Sequence, residues 1–307
     1  MTAIKEKIRK RVRANRFVRA VFLEPYYRIR TSDFVCAKLN RKSIELYRKN
    51  KPELDEVQKR VVEDLEHNGL AFAILEELLP DVHLGELREF VERGRQEAKT
   101  GQKKGFLRYI GNNNPIVDPR NPFIALTLKK PIVDIANSYL GMYSKFNFFS
   151  LNITVPLAGG IAAQGSQRWH RDPGVRRVCK VFLYVSDVDD LGAGPFVYAK
   201  GSHHGGRFWN LFPQALSGRE GVYPSQGAVE KNIPPENITP ALGKAGTIIF
   251  CDTLGLHRGG YSTTKERIMF TALFESKGGL GVSKFGFPEN FEEWEKALDP
   301  ETVYALS

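Results

Sequence analysis

The chain has 307 residues, 42% of them hydrophobic and 26% charged, which is typical of a folded globular protein with a sizeable core. No apolar run reaches about eighteen residues, so the sequence predicts no transmembrane helix. Two of its three widely spaced cysteines, Cys179 and Cys251, lie in apolar strand candidates and are expected to be buried thiols, which predicts a cytoplasmic protein.

The net charge of +10 comes from the first 51 residues, which contain sixteen Lys or Arg and four Asp or Glu. Ile4, Ile8 and Val12 recur every four residues, so we interpret residues 1–51 as a basic, amphipathic helical extension. Its basic face is solvated, or it contacts an anionic membrane peripherally. Nucleic acid is disfavoured because no binding motif accompanies the charge.

Residues 52–307 are expected to form a single domain that opens with helices. Apolar spacing predicts a helix over residues 52–67, ended by Gly69, then a strand and a further helix. That strand is predicted over residues 70–75 and that helix over residues 81–98. A polar loop over 99–104, a strand over 106–111 and helices over 122–130 and 131–140 follow them.

From about residue 145 the pattern changes to short strands with turn signals, which favours an all-β body. In the strand over residues 146–156, Ser150, Asn152 and Thr154 share one face. A polar inner face suits a small barrel that holds a polar ligand, and the alternative is a half-exposed strand. Residues 179–186 also alternate, and either of their faces could point inward.

His170 and Asp172 follow the strand over residues 146–156. On an extended backbone, residues i and i+2 point to the same face, so these two side chains can bind one ion from one side. Two ligands leave a metal under-coordinated, so a third should come from elsewhere in the chain. The pair alone is a weak signal, because a loop histidine beside a turn-forming Asp-Pro-Gly is the alternative.

A second motif strengthens this interpretation. A predicted strand over residues 246–252 is followed by His257 in a glycine-rich bend, and Arg267 lies ten residues further on. Two histidines and one carboxylate form the facial triad of non-haem Fe(II) oxygenases, which leaves about three positions open. The planar guanidinium of Arg267 can bind a carboxylate through two parallel hydrogen bonds.

Together these motifs, with Asp187-Val188-Asp189 and Gly201-Ser202-His203, resemble the phytanoyl-CoA dioxygenase (PhyH-like) family over residues 60–277. The resemblance implies a mainly β fold with flanking helices. Its core, about residues 145–277, would be a double-stranded β-helix of the jelly-roll or cupin type with an N-terminal helical elaboration.

The resemblance also implies Fe(II) on His170, Asp172 and His257, with 2-oxoglutarate anchored at Arg267 and contacted by Asn152. The family uses O₂ to oxidise a substrate C–H bond and releases succinate and CO₂. Relatives that halogenate lack the carboxylate, so Asp172 favours hydroxylation.

Two positions depart from the family pattern near the expected cosubstrate. Arg171 stands where relatives often have Gln, and Gly259 stands where they often have a small hydroxyl residue. The Gly201-Ser202-His203 triplet is interpreted as structural, since adjacent residues on a strand point in opposite directions and His203 and His204 should not share one ion.

Two other functions are kept as alternatives: a zinc-dependent hydrolase, which would not explain Arg267, and a non-catalytic, membrane-associated binding protein on the same scaffold. The substrate is expected to be a small molecule, or one linked to a carrier or lipid. Four arginines near the metal motif would contact an acidic substrate or simply solvate a loop (Arg168, Arg171, Arg176 and Arg177). Residues 207–236 are predicted to form a wall or lid of the substrate pocket.

Overall fold

A computed structural model gives the fold of the chain. It describes residues 32–96, 98–101, 104–111, 116–157, 162–213, 223–279 and 285–307, together with the single positions Val21, Pro25, Tyr26 and Ile29. The predicted amphipathic helix that contains Ile4, Ile8 and Val12 lies outside the described residues. In the described part of the chain, no helix is both long and apolar enough to span a membrane.

Short helices precede and follow a β-rich middle. The described α-helices are α1 Asp33–Leu39, α2 Arg41–Lys49, α3 Glu56–Asn68, α4 Leu75–Leu78, α5 Leu84–Arg95, α6 Pro122–Thr127, α7 Lys130–Leu140, α8 Ala228–Asn232, α9 Phe291–Glu295 and α10 Pro300–Leu306. The described strands are β1 Leu70–Ile74, β2 Lys99–Gly101, β3 Lys104–Ile110, β4 Lys145–Thr154, β5 Val178–Tyr184, β6 Val197–Ala199, β7 Ile238–Pro240, β8 Thr247–Cys251, β9 His257–Arg258 and β10 Arg267–Glu275.

The helix predicted over residues 52–67 is α3, which starts later than predicted because Asp55 caps it. The Asp55 carboxylate accepts from the Gln58 N–H at 2.8 Å, and the Gln58 side chain accepts from the Asp55 N–H at 2.8 Å. The helix ends at Gly69, whose φ of 71° places it in the left-handed region that favours glycine. The chain then turns directly into β1.

Residues 99–104, predicted as a loop, instead contribute a strand. Residues 99–101 pair antiparallel with β3, with Lys99 opposite Tyr109, and form the outer edge of a sheet. A polar, lysine-containing segment is compatible with an edge strand, because one side of such a strand has no neighbour to pair with. The predicted helices over residues 81–98 and 122–130 are also shorter in the structure, as α5 and α6.

The larger sheet has seven strands in the order β1-β8-β5-β10-β4-β3-β2, and every pairing is antiparallel. One face packs against the helices in the main hydrophobic core, which includes Phe250 and Phe270. The opposite face contributes Phe182 and Ile249 to a second buried cluster. The central strands are therefore buried on both sides.

The smaller sheet has three strands in the order β7-β6-β9. Tyr198 of β6 belongs to the same buried cluster as Phe182 and Tyr184 of β5, so the smaller sheet lies against the inner face of the larger one. The space between the two sheets is where β4, β5 and β10 present their inner side chains.

The helices α1 and α2 lie within the extension that was predicted to be helical, and they pack on the domain. The Tyr143 N–H donates to Ser43 O at 3.1 Å, and the Gly278 N–H donates to Asn40 Oδ1 at 2.9 Å. Ile44 packs against the main core. The expectation of buried thiols is confirmed for Cys179 and Cys251, and Cys36 is buried as well.

Candidate metal centre

His170 and His257 face each other across an antiparallel backbone bridge that continues the smaller sheet beyond β9. The His170 N–H donates to His257 O at 2.9 Å, and the His257 N–H donates to His170 O at 3.0 Å. Side chains of such directly opposed residues emerge on the same side. Their ring centroids lie 4.2 Å apart, so the backbone itself brings these two distant histidines together.

Asp172 completes the cluster from two residues beyond His170, as the extended spacing predicted. One carboxylate oxygen lies 3.7 Å from His170 Nε2 and the other lies 3.8 Å from His257 Nε2. The Asp172 N–H donates to Thr253 O at 2.8 Å, which ties this loop to the segment after β8. One ligand atom from each of the three residues lies within 4.8 Å of the others.

Backbone carbonyls fix the orientation of both imidazoles. His170 Nδ1 lies 2.8 Å from Arg168 O, and His257 Nδ1 lies 3.0 Å from Gly255 O. Because a carbonyl only accepts, each Nδ1 must donate, which leaves the Nε2 lone pair of the neutral ring directed at the cluster. Burial, together with the neighbouring His170, lowers the pKa of His257 to about 3. His257 is therefore neutral and ready to bind a cation.

Lys180 of β5 forms an ion pair with the Asp172 carboxylate. The sequence did not show which face of β5 points inward, but the pairing of β5 with its neighbouring strands does. Lys180 lies opposite Cys251 of β8 and Leu273 of β10, on the same face as Phe182. Burial alone would raise the pKa of Asp172, but the Lys180 ammonium and the two histidines hold it well below its usual range.

Arg267 begins β10 directly opposite Thr154 of β4. Its side chain is buried, with Nη1 donating to Gly194 O at 2.5 Å and Nη2 donating to Thr154 Oγ1 at 3.2 Å. Its Nε has no hydrogen-bond partner among the described residues, and none of their carboxylates forms an ion pair with it. Burial lowers the pKa of Arg267. A buried guanidinium of this kind can bind an anion.

Asn152 lies on the same inner face of β4 as Thr154, opposite Met269 of β10. Its Nδ2 lies 2.9 Å from Ser150 Oγ, and its buried Oδ1 has no partner among the residues described. If the amide is turned over, Oδ1 accepts from the Ser150 hydroxyl and Nδ2 is left to donate to an anion. The predicted polar inner face of β4 is therefore present beside Arg267.

Arg171 has a structural role that the sequence did not reveal. Its five N–H donors are directed at backbone carbonyls: Nε at Phe212 O, Nη1 at Ser202 O and Leu254 O, and Nη2 at Trp209 O and Leu211 O. These distances range from 2.6 to 3.1 Å. Arg171 thus anchors the loop after β6 and the segment after β8, and all five of its N–H donors are used.

The Gly201-Ser202-His203 triplet is structural, as predicted. Ser202 Oγ donates to Ala199 O at 2.6 Å and accepts from the N–H of Leu256, the residue before His257. His203 Nε2 donates to Glu66 O at 2.9 Å. Ser202 therefore links the segments that carry the two ligand histidines, since its own carbonyl also accepts from Arg171.

The other arginines near the motif have separate contacts. Arg176 forms an ion pair with Asp33 at 2.8 Å, and Arg177 donates to Tyr139 O at 3.0 Å. Arg168 lies over the Tyr223 ring at 4.5 Å. Contact between these arginines and an acidic substrate stays a prediction.

The predicted lid, residues 207–236, is described on both sides of its centre, and residues 214–222 lie outside the described part. The Tyr223 ring centroid is 6.0 Å from that of His170. The Trp169 indole N–H donates to Glu230 Oε1 at 2.8 Å. The described flanks of this segment thus lie against the residues around the first ligand.

The residues present fit a divalent metal and a dicarboxylate. Two neutral imidazole Nε2 atoms and one carboxylate converge, which is the donor set of a facial triad. The Arg267 Nε, which has no partner among the described residues, supplies a donor for an anion.

Several solved structures share this fold. The epimerase SnoN, solved with Fe³⁺, α-ketoglutarate and nogalamycin RO, is 16% identical with a TM-score of 0.51 over 73% of this chain and 86% of its own. The α-ketoglutarate-dependent carbocyclase SnoK is 16% identical with a TM-score of 0.50 over 81% and 92% of the two chains. HygX from Streptomyces hygroscopicus, with nickel and 2-oxoglutarate bound, is 11% identical with a TM-score of 0.50 over 75% and 90%.

These similarities confirm the predicted fold, a double-stranded β-helix of antiparallel sheets with flanking helices. No family model matches the sequence, and no curated protein matches it either. At these identities the structural likeness establishes the fold alone, so the function has to be argued from the site.

Proposed function

We propose that the protein is an Fe(II)- and 2-oxoglutarate-dependent dioxygenase that hydroxylates a C–H bond of a small-molecule or carrier- or lipid-linked substrate, with release of succinate and CO₂. The observation that carries the proposal is the convergence of His170, Asp172 and His257 with both Nδ1 atoms held by backbone carbonyls. This arrangement orients all three ligands before any ion binds.

In this proposal His170, Asp172 and His257 hold Fe(II), and Arg267 anchors the distal carboxylate of 2-oxoglutarate with Asn152 nearby. Bound Fe(II) with 2-oxoglutarate supplies the means to activate O₂. The chain itself provides apolar surroundings, since Phe182, Phe196 and Ile249 form a buried cluster between the sheets. Excluding water strengthens the electrostatic contacts made there and limits side reactions.

The retained Asp172 supports hydroxylation over halogenation, because a halide needs the position that the carboxylate takes. The fold does not determine which product the reaction gives. Two proteins of similar fold are named as an epimerase and a carbocyclase, so the scaffold serves more than one oxidation.

The two alternative functions are less well supported by the site. A catalytic zinc would use the same three ligands with a bound water, but it gives no role to the buried guanidinium of Arg267, whose Nε has no partner among the described residues. A non-catalytic binding protein with the same fold would be expected to have lost a metal-binding residue, and the structure retains all three.

The proposal is tested by 2-oxoglutarate turnover without added substrate, measured as succinate formed with Fe(II), O₂ and ascorbate. The wild type should form succinate slowly, and Asp172→Ala should form none above the background of free Fe(II). As a matched control, Asp187→Ala changes an exposed carboxylate outside the triad and should leave turnover intact. Succinate formation that is equal in wild type and Asp172→Ala would contradict the proposal, as would hydrolytic activity that depends on zinc and needs no O₂.

A further inference from the structure

Lys180 places a positive charge against the one carboxylate of the triad. We infer that Lys180 couples the two binding steps, so that the centre binds its metal tightly only when a dianionic cosubstrate binds with it. The inference rests on the proposed function and adds a residue that the triad and Arg267 do not include.

Lys180 is held in place by the strand that carries it. It belongs to β5, which lies between β8 and β10 in the larger sheet. Its side chain is only 15% exposed, and its ammonium is hydrogen-bonded to Asp172 Oδ2. Of the described residues, Asp172 provides the only carboxylate within ion-pair distance of Lys180. The ammonium has little room to move away when a cation enters.

The charges of the site explain the coupling. With neutral imidazoles, the negative charge of Asp172 and the positive charge of Lys180 cancel. A divalent cation adds two positive charges next to the ammonium, in a space where burial weakens dielectric screening. Two carboxylates of 2-oxoglutarate bring two negative charges, which offset the two positive charges of the metal. Metal and dianion should therefore strengthen each other's binding, and linkage makes this effect reciprocal.

A purely orienting role for Lys180 gives a different expectation. If the ammonium only held the Asp172 carboxylate in its position, its removal would weaken metal binding by the same factor with and without 2-oxoglutarate. Coupling by charge instead predicts that its removal strengthens metal binding when the dianion is absent. The sign of the change distinguishes the two roles.

The test is calorimetric titration of the metal-free protein with Mn(II), without O₂, in the absence and presence of saturating 2-oxoglutarate. Lys180→Met removes the charge and keeps the apolar stem, while Lys180→Arg keeps the charge. We expect Lys180→Met to bind Mn(II) more tightly without 2-oxoglutarate. The factor by which 2-oxoglutarate raises the metal affinity should fall about 5-fold or more, a typical size for such coupling. Lys180→Arg should retain the wild-type factor.

An unchanged factor in Lys180→Met, or weaker metal binding in both conditions, would overturn the inference while leaving the proposed function standing. A wild type that binds Mn(II) but shows no binding of 2-oxoglutarate would overturn both. Thermal unfolding of each variant checks that it is folded, and Lys180→Gln provides the same charge removal if the methionine variant is not.

Discussion

Thr154 and Arg267 lie directly opposite each other in the pairing of β4 with β10, and the Arg267 Nη2 donates to Thr154 Oγ1 at 3.2 Å. The neighbouring Nη1 donates to Gly194 O, and Gly260 makes room for this contact. A Cβ at Gly260 would lie 1.4 Å from Gly194 O and 2.7 Å from Arg267 Nη1. The guanidinium is thus positioned by three segments, while its Nε has no hydrogen-bond partner in the described part of the chain.

Replacing Arg267 with Met should weaken 2-oxoglutarate binding by about 1.5–3 kcal/mol, the loss of a hydrogen bond to a charged group. This corresponds to roughly 10- to 150-fold in Kd. Affinity for Mn(II) alone should change little, and the ligand-free variant should be no less stable, because an unpaired buried charge is removed. Calorimetric titration measures both affinities.

Thr154→Val is the matched control for this change, since it removes only the neutral partner and should cost about 1 kcal/mol or less of 2-oxoglutarate binding. Equal 2-oxoglutarate affinity in wild type and Arg267→Met would show that the cosubstrate is anchored elsewhere.

Arg171→Met should destabilise the fold and leave the intrinsic chemistry of the ligands unchanged. It removes charged donors to carbonyls of two loops and leaves those carbonyls buried, which should cost more than about 3 kcal/mol. Thermal unfolding should shift down by roughly 6 °C or more. Arg207→Met, an exposed change on the same segment, should shift it little. If Arg171→Met kept its stability and lost 2-oxoglutarate binding, Arg171 would be a cosubstrate residue after all.

The Asp252 carboxyl group should make the free energy of unfolding depend on pH. Its carboxylate is buried and accepts from the Tyr139 hydroxyl at 2.7 Å, and burial raises its pKa to about 6. Because the folded pKa lies above the unfolded value of about 3.9, the contribution to stability is complete below pH 4 and is lost as the pH rises through 6. The loss is about 3 kcal/mol.

Urea unfolding of wild type and Asp252→Asn between pH 4 and pH 7.5 measures the contribution of Asp252 to the free energy of unfolding. The Asn variant keeps the acceptor for the Leu254 N–H, so the wild-type stability should fall relative to the variant as the pH increases. A difference that stays constant across this range would show that Asp252 titrates as an ordinary surface carboxylate.

Peripheral contact with an anionic membrane remains a prediction for the N-terminal region. Phe34 and Leu39 are 76% and 48% exposed on α1, next to the basic residues of the first 51 positions. Co-sedimentation with vesicles that contain phosphatidylserine should exceed that with neutral vesicles and should fall with added salt. Phe34→Glu with Leu39→Glu should reduce it, whereas Leu191→Glu, elsewhere on the surface, should not. Binding that is independent of lipid charge would contradict the prediction.

The His170–Asp172 pair and the polar inner face of β4 could be anticipated because local spacing dictates them. His170 and Asp172 share a face by the two-residue repeat of an extended chain. The polar residues Ser150, Asn152 and Thr154 share one by the same rule. Spacing also located α3, although its start depended on the Asp55 cap.

The roles of Arg171 and Lys180 could not be anticipated, for physical reasons. The carbonyls that bind Arg171 come from loops distant in the chain, so no local sequence pattern predicts these contacts. Lys180 lies on a strand buried on both faces, where apolar residues occur on either side and alternation does not reveal which face is inward.

The most direct test of the metal centre is an anaerobic titration of the metal-free protein with Fe(II) and 2-oxoglutarate, monitored by visible absorption. The weak charge-transfer band of an iron–keto-acid chelate should appear in the wild type, be absent in Asp172→Ala, and require far more 2-oxoglutarate in Arg267→Met. Absence of the band in the wild type, with zinc retained through purification, would contradict the oxygenase proposal and favour the hydrolase.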